Sequence, residues 1–223
     1  MAGPVPRVTI VVFAGGGPPA AGVADLLPEG AHVIAADSGL DHATALGVEV
    51  DRVIGDMDSV DPTLLAGLPP EVRVDRHPAA KDATDLELAI DAALALRPDA
   101  IVIVGGHGGR SDHFLANAML LAGPRLVGIE IRWLAGDDLV HVVDDTVALQ
   151  GAPGSTVSLI PLTDCTGVTT DGLAWHLESA TLPRGTTRGV SNEVVATEAT
   201  VSVASGSLLV VQPGALGAPV GQE

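Results

Sequence analysis

Short apolar runs that stop at a glycine or an acid recur through the first half of this chain, and helical patterns lie between them. The runs are RVTIVVFA (7–14), HVIAAD (32–37), RVIGD (52–56), EVRVDRH (71–77) and AIVIVGG (100–106). They read as β-branched and continuously apolar, the pattern of strands covered on both faces. TDLELAIDAALAL (84–96) places Leu86, Ile90 and Ala93 at helical spacing, and SDHFLANAMLLA (111–122) is another helical pattern. Strand and helix in alternation predict a mostly parallel α/β sheet.

The character changes near residue 125. IRWLAGDDLVHVVDDTVALQG (131–151) reads as strands with tight turns. Beyond it, STVSLIPLT, GLAWHL, EVVATEATVSV and SLLVVQP read as strands between the turn signals GAPGS, TDGL, PRGT and ASGS. Short strands with frequent Gly/Pro turns predict an antiparallel sandwich. The expected division is therefore an α/β domain over 1–130 and an all-β sandwich over 131–223, with GALGAPVGQE as a frayed tail.

Composition narrows the function. A formal net charge of −17 with no basic run argues against a nucleic-acid partner, which needs Lys and Arg against phosphate, and against an anionic membrane surface. The single cysteine, Cys165, allows no internal disulfide and no CxxC metal site, and reads as a small buried thiol. The apolar run in MAGPVPRVTIVVFAGGG is too short to span a membrane and lacks the flanks of a signal peptide. A soluble, cytoplasmic protein is expected.

In an open α/β sheet, ligands sit outside the carboxyl ends of the strands. Here those ends carry A-D-S-G (Asp37), G-D-M-D-S (Asp56, Asp58), K-D-A-T-D (Lys81, Asp82, Thr84, Asp85) and G-G-H-G-G-R-S-D-H (Arg110, Asp112, His113). Alone, Asp82, Thr84 and Asp85 read first as caps of the next helix. The Gly-rich loop 105–109 reads as a tight turn or as a phosphate cradle at a helix entry. His107 and His113 read as rim or helix-face residues rather than metal ligands. Together the pieces say more. Asp56 and Asp58 lie two apart in a segment expected to be extended, so both side chains can face one way. Several carboxylates on one rim call for a hard cation, and Mg²⁺ fits because it takes oxygen ligands and bridges carboxylates to phosphates. Carboxylates, a metal, one lysine and one arginine suit phosphoryl or nucleotidyl chemistry. AGGGPP after the first strand is neither a Walker A nor a GxGxxG motif.

In this order, ADSGLDHATALGVEVDRVIGDMDS (36–59), KDATDLELAI (81–90), GGHGGRSDHFLAN (105–117), GAPGSTVSLIPL (151–162), TTDGLAWHL (169–177) and GVSNE (189–193) resemble the thiamine pyrophosphokinase family. The resemblance implies a Rossmann-like N-terminal domain, a C-terminal β-sandwich, and a homodimer whose active sites lie at the subunit interface. It implies transfer of the pyrophosphoryl group of ATP to the hydroxyethyl oxygen of thiamine, releasing AMP. Carried over by motif, Asp37, Asp56, Asp58, Asp82 and Asp85 form the acidic Mg²⁺–ATP site. Lys81, Thr84, Arg110, Asp112 and Asn117 contact nucleotide and phosphates. Ser191, Asn192 and Trp175 help bind thiamine. The chain departs from the family pattern at Ser38, where ADGGANH is commoner than ADSGLDH, at Met57 within GDMDS, and at Ser111 within SDH.

Charge and aromatic content agree with a cationic substrate such as thiamine: the protein is acidic and a Trp face can hold a cationic ring. Read without the resemblance, Trp175 is a core anchor of the sandwich. Three other readings share the fold: a pyrophosphokinase acting on a pterin-type alcohol, a non-catalytic sensor of nucleotide or thiamine, and a metal-dependent phosphohydrolase.

Overall fold

The computed structural model describes residues 7–217; residues 1–6 and the last part of the expected tail, 218–223, lie outside the described residues. The chain divides into two compact units. One runs up to Asn117 and includes Leu134–Gly136; the other comprises Ala118–Trp133 and the residues from Asp137 onward.

In the first unit the strands are β1 (Thr9–Ala14), β2 (His32–Ala36), β3 (Arg52–Gly55), β4 (Arg73–Arg76) and β5 (Ala100–Val104). They pair in parallel in the order β5-β1-β2-β3-β4. Helices α1 (Gly39–Ala45), α2 (Pro62–Ala66), α3 (Asp85–Ala95) and α4 (Ser111–Leu120) follow β2, β3, β4 and β5 in turn. From Ile10 to Ala14, and throughout β5, every residue is buried, as continuous apolar runs predict. Strand β4 differs. Arg73, Val74 and Arg76 are exposed, because β4 is the sheet edge and its sequence alternates rather than running apolar. Arginines on an open edge discourage pairing with another chain.

Helix α3 packs on β1, β2 and β3 through Leu86, Ala89, Ile90 and Ala93. Helix α1 sits so close to β1 that a Cβ on Gly39 would stand 2.2 Å from the Phe13 carbonyl oxygen. Only glycine permits that approach, and it brings the start of α1 against the end of β1.

The second unit contains β6 (Glu130–Ala135, divided between the units at Trp133), β7 (Asp138–Val143), β8 (Thr146–Leu149), β9 (Thr156–Pro161), β10 (Cys165–Asp171), β11 (Ala180–Leu182), β12 (Asn192–Glu193), β13 (Ala199–Ser202) and β14 (Leu208–Gln212). One antiparallel set has the order β12-β9-β14-β7, the other β11-β10-β13-β8. Val157, Leu159, Val168, Leu182, Val201, Leu208 and Val210 from both sets share one buried cluster, which makes this unit a β-sandwich. Cys165 belongs to that cluster, and burial pushes its thiol up. It is a packed core residue.

One expected strand is not a strand, and another is only partly one. GLAWHL contributes only an isolated bridge, Leu173 to Val194, and EVVATEATVSV is interrupted between Glu193 and Ala199. Strand β10, CTGVTTD, goes unread in the sequence because small polar residues alternate there without an apolar run. Among the described residues, no helix is long and apolar enough to cross a membrane.

Candidate functional site

The carboxyl ends of β1, β2 and β5 open on a cleft of about 370 Å³ lined by Gly15, Gly16, Asp37, Ser38, Thr84, Asp85, His107, Arg110 and Asn117, among others. Asp37 directly follows β2. Its N–H donates to the Ile54 carbonyl at 2.8 Å, which extends the β2–β3 ladder by one residue. Its backbone then turns left-handed, with φ 47°, to enter α1. One carboxylate oxygen, Asp37 Oδ1, is buried without a hydrogen-bond partner. Burial raises the Asp37 carboxyl above its ordinary range, and the charges of Asp85, Asp56 and Asp58 add to that against a bond from the Ser38 backbone.

Asp56 and Asp58 do not lie in an extended segment. Met57 between them is left-handed, with φ 65°, and buried. The Asp58 N–H donates to Asp56 Oδ1 at 3.3 Å. A turn anchored by Met57, rather than strand alternation, brings the two acids to one side. Asp37, Asp56 and Asp58 each offer an oxygen within 4.8 Å of the others. Among the described residues these three make the metal-competent cluster. Asp61, the next acid along, caps α2 instead, accepting from the Thr63 N–H at 2.8 Å.

Lys81 supplies the positive charge inside the site. Its Nζ lies 2.9 Å from Asp56 Oδ2 and 2.7 Å from Asp85 Oδ1. Lys81 holds the Asp56 carboxyl below the usual range. Burial pulls the Lys81 amine down, but its bonds to Asp85 and Asp56 outweigh that and hold it up. Gly55, with φ 152°, lets the parts close: a Cβ there would meet Asp85 Oδ1 at 3.0 Å and Asp37 Cβ at 3.1 Å. Thr84 does cap α3, its Oγ1 accepting from the Glu87 N–H at 3.2 Å, and it also lines the cleft. Asp82 is exposed in the loop before α3, outside the three-carboxylate cluster.

On the far side of the cleft, Arg110 and Asp112 form a two-bond ion pair at 3.1 and 2.5 Å. Arg110 holds the Asp112 carboxyl down at about 2. Both side chains are well exposed. Asn117 is buried and donates from Nδ2 to the Gly106 carbonyl at 2.8 Å, so it pins the Gly-rich loop from beneath. His107 and His113, expected at the rim, line the cleft, and so does Ser38, the position where the chain departs from the family pattern. Ser38 Oγ sits 2.3 Å from where a Cβ on Gly15 would stand, so the serine fills the space beside a glycine of the cleft floor.

The donor set suits a hard divalent cation. It is all oxygen, one buried oxygen has no partner, and the carboxylates repel one another. Each feature is relieved by a bound cation.

The second unit carries its own cleft of about 590 Å³, lined by Trp175, His176, Arg188, Ser191 and Asn192, among others. Asn192 is 2% exposed. Its Oδ1 accepts from the Trp175 N–H at 3.0 Å and the Glu193 N–H at 2.8 Å, and its Nδ2 donates to the Trp175 carbonyl at 2.9 Å. Asn192 thus clamps the backbone that presents Trp175. Trp175 itself is 63% exposed and is no core anchor; Trp133 is the tryptophan buried in the core. Ser191 is left-handed, with φ 57°, and its N–H donates to Ser158 Oγ at 3.0 Å.

Comparison with known proteins adds an independent line. Residues 23–132 match the family described as "Thiamin pyrophosphokinase, catalytic domain". Residues 142–208 match "Thiamin pyrophosphokinase, vitamin B1 binding domain". Thiamine pyrophosphokinase of Bacillus subtilis (strain 168) is 30% identical over 185 residues, covering 80% of this chain and 86% of that protein. The crystal structure of thiamine pyrophosphokinase from Bacillus subtilis superposes with a TM-score of 0.80 at 28% identity, over 92% of this chain and 98% of that one. That of thiamin pyrophosphokinase from Geobacillus thermodenitrificans gives 0.74 at 26% identity, over 92% and 97%. Yeast thiamin pyrophosphokinase, at 13% identity and a TM-score of 0.68 over 92% and 86%, shares the fold.

Proposed function

We infer the reaction from one premise: this chain belongs to the thiamin pyrophosphokinase family. It is a transferase of the kinase type. The donor is ATP, the group moved is pyrophosphoryl, and the acceptor is the hydroxyl of thiamine, giving thiamine diphosphate and AMP. One observation carries this reading: three carboxylates with mutually close oxygens stand beside an amine at the carboxyl end of a parallel sheet.

Residues 1–130 do the ATP and metal work. Asp37, Asp56 and Asp58 would hold Mg²⁺, with Asp85 behind them through Lys81. When bound, the cation neutralises phosphate charge and aligns the donor for in-line attack. Lys81 and Arg110 donate to phosphate oxygens as charge develops there. Thr84 and Asn117 hold the two loops that flank the nucleotide, and Asp112 orients Arg110. Asp82, exposed at the loop, serves the outer edge of the site.

Residues 131–223 hold thiamine. Trp175 offers its face to the cationic ring, with Ser191 beside it and Asn192 as the clamp. The active protein is a homodimer with each active site at the subunit interface, located in the cytoplasm. The outward apolar residues of α4 support the dimer: Phe114 is 41% and Leu115 62% exposed in the single chain.

Trp175→Ala tests the thiamine assignment. We expect KM for thiamine to rise about tenfold with kcat little changed, the loss of one cation–π contact that closes against substrate. Steady-state kinetics with thiamine varied at saturating ATP reads this directly. An unchanged KM would remove Trp175 from the site.

A further inference from the structure

Asp56 already has both oxygens engaged. Oδ2 accepts from Lys81 Nζ at 2.9 Å and Oδ1 from the Asp58 N–H at 3.3 Å. Each oxygen keeps a further lone pair, so a divalent cation that ligates Asp56 shares the carboxylate with Lys81 and stands close to its ammonium. The Lys81 ammonium is the obvious competitor, because two cations drawn to one carboxylate repel each other at that distance. The pair is also shielded: the Lys81 side chain is 13% exposed, Asp56 16% and Asp85 25%. Attraction between charges removed from water is stronger than at the surface.

Lys81 has a second anchor. Asp85 lies four residues on, at the start of α3. A lysine released from Asp56 stays tethered to Asp85 beside the cleft. Its neighbours Ala80 and Asp82 are exposed, so little packing restrains the loop that carries it.

We propose that Lys81 is a resident counter-cation: it occupies Asp56 before metal arrives, is displaced from Asp56 by the divalent ion, and turns from its Asp85 tether to the phosphates. The inference rests on the pyrophosphokinase reading above and adds an order of events to it. Before binding, one ammonium offsets the crowd of Asp37, Asp56, Asp58 and Asp85 and keeps the site from flying apart. The same ammonium lowers the affinity of the empty site for a bare cation, so metal binds well only with a polyphosphate that gives Lys81 a new partner. Loading of metal and nucleotide thereby becomes coupled.

The chain contains one lysine. Labelling lysine with ¹³C at Cε therefore gives a single side-chain resonance that reports Lys81 in the wild-type protein. Titration with Mg²⁺ alone is expected to move that resonance, saturating with the metal. Mn²⁺ binding to the nucleotide-free protein, followed by electron paramagnetic resonance, supplies the second arm. Lys81→Met is expected to bind Mn²⁺ about tenfold tighter than wild type, because one nearby like charge is gone, while Lys81→Arg stays within about twofold of wild type. The Met variant's turnover falls at the same time; a merely structural lysine would lower both. A Lys81 resonance unmoved by saturating Mg²⁺, or Lys81→Met binding Mn²⁺ no tighter than wild type, overturns the inference. If wild type binds Mn²⁺ with ATP and only the tightening is missing, the order of events fails and the metal site stands. If wild type binds no Mn²⁺ even with ATP, the metal-site reading fails with it.

Discussion

Asp56→Asn lowers kcat/KM about a thousandfold, the loss expected when a residue that both holds the metal and shapes the phosphate site becomes neutral. Asparagine keeps the shape of aspartate and can still accept the Asp58 N–H. What it loses is charge, and with it the ion pair to Lys81. Asp37 and Asp58 remain, so weak metal binding persists and the defect is in turnover more than in folding. Circular dichroism should show the wild-type secondary structure. Raised Mg²⁺ should recover part of the activity. A variant with wild-type kcat at ordinary Mg²⁺ would remove Asp56 from the metal site.

Arg110→Ala lowers kcat about a hundredfold, the usual effect of deleting one donor aimed at developing charge. In the free protein Arg110 is engaged with Asp112, but the two side chains are 70% and 63% exposed. Exposed pairs contribute little to stability, so the melting temperature should stay near wild type. That separates the two variants from a folding defect. Asp112→Ala should cost only a few-fold in rate, since Asp112 orients the arginine without touching phosphate. A loss under about threefold for Arg110→Ala would place the arginine outside the reaction.

How much of this could be read in the sequence follows from what each residue senses locally. β1, β2, β3 and β5 were legible because burial on both faces requires an uninterrupted apolar run. β4 was read as a strand but not as an edge: Val74 is the one apolar residue between Arg73, Asp75 and Arg76, and only the pairing order places the strand at the sheet's margin. GLAWHL looked like a strand because Leu173, Trp175 and Leu177 alternate. The segment is instead held by Asn192, whose side chain takes over backbone hydrogen bonds of Trp175. A lone asparagine gives no local sign of that.

The acids of the site were legible because strand ends collect ligands in this class of sheet. How they meet was not. Left-handed φ is uncommon for methionine, so nothing in GDMDS announces the turn at Met57. Lys81 and Asp85 are only four residues apart along the chain, whereas Lys81 and Asp56 are 25 residues apart and meet only once β3 and the loop before α3 are in place. Asp82 carries the same local signal as Asp85, yet Asp85 pairs with Lys81 whereas Asp82, three positions earlier, stands exposed in the loop.

One measurement tests the account most directly. The purified protein is incubated with ATP, Mg²⁺ and thiamine, and nucleotides and thiamine species are separated by chromatography. The account predicts AMP and thiamine diphosphate in equal amounts, both dependent on metal. ATP left intact while thiamine still binds would contradict it in favour of a sensor. ATP consumed with no thiamine product would contradict it in favour of hydrolysis or another acceptor.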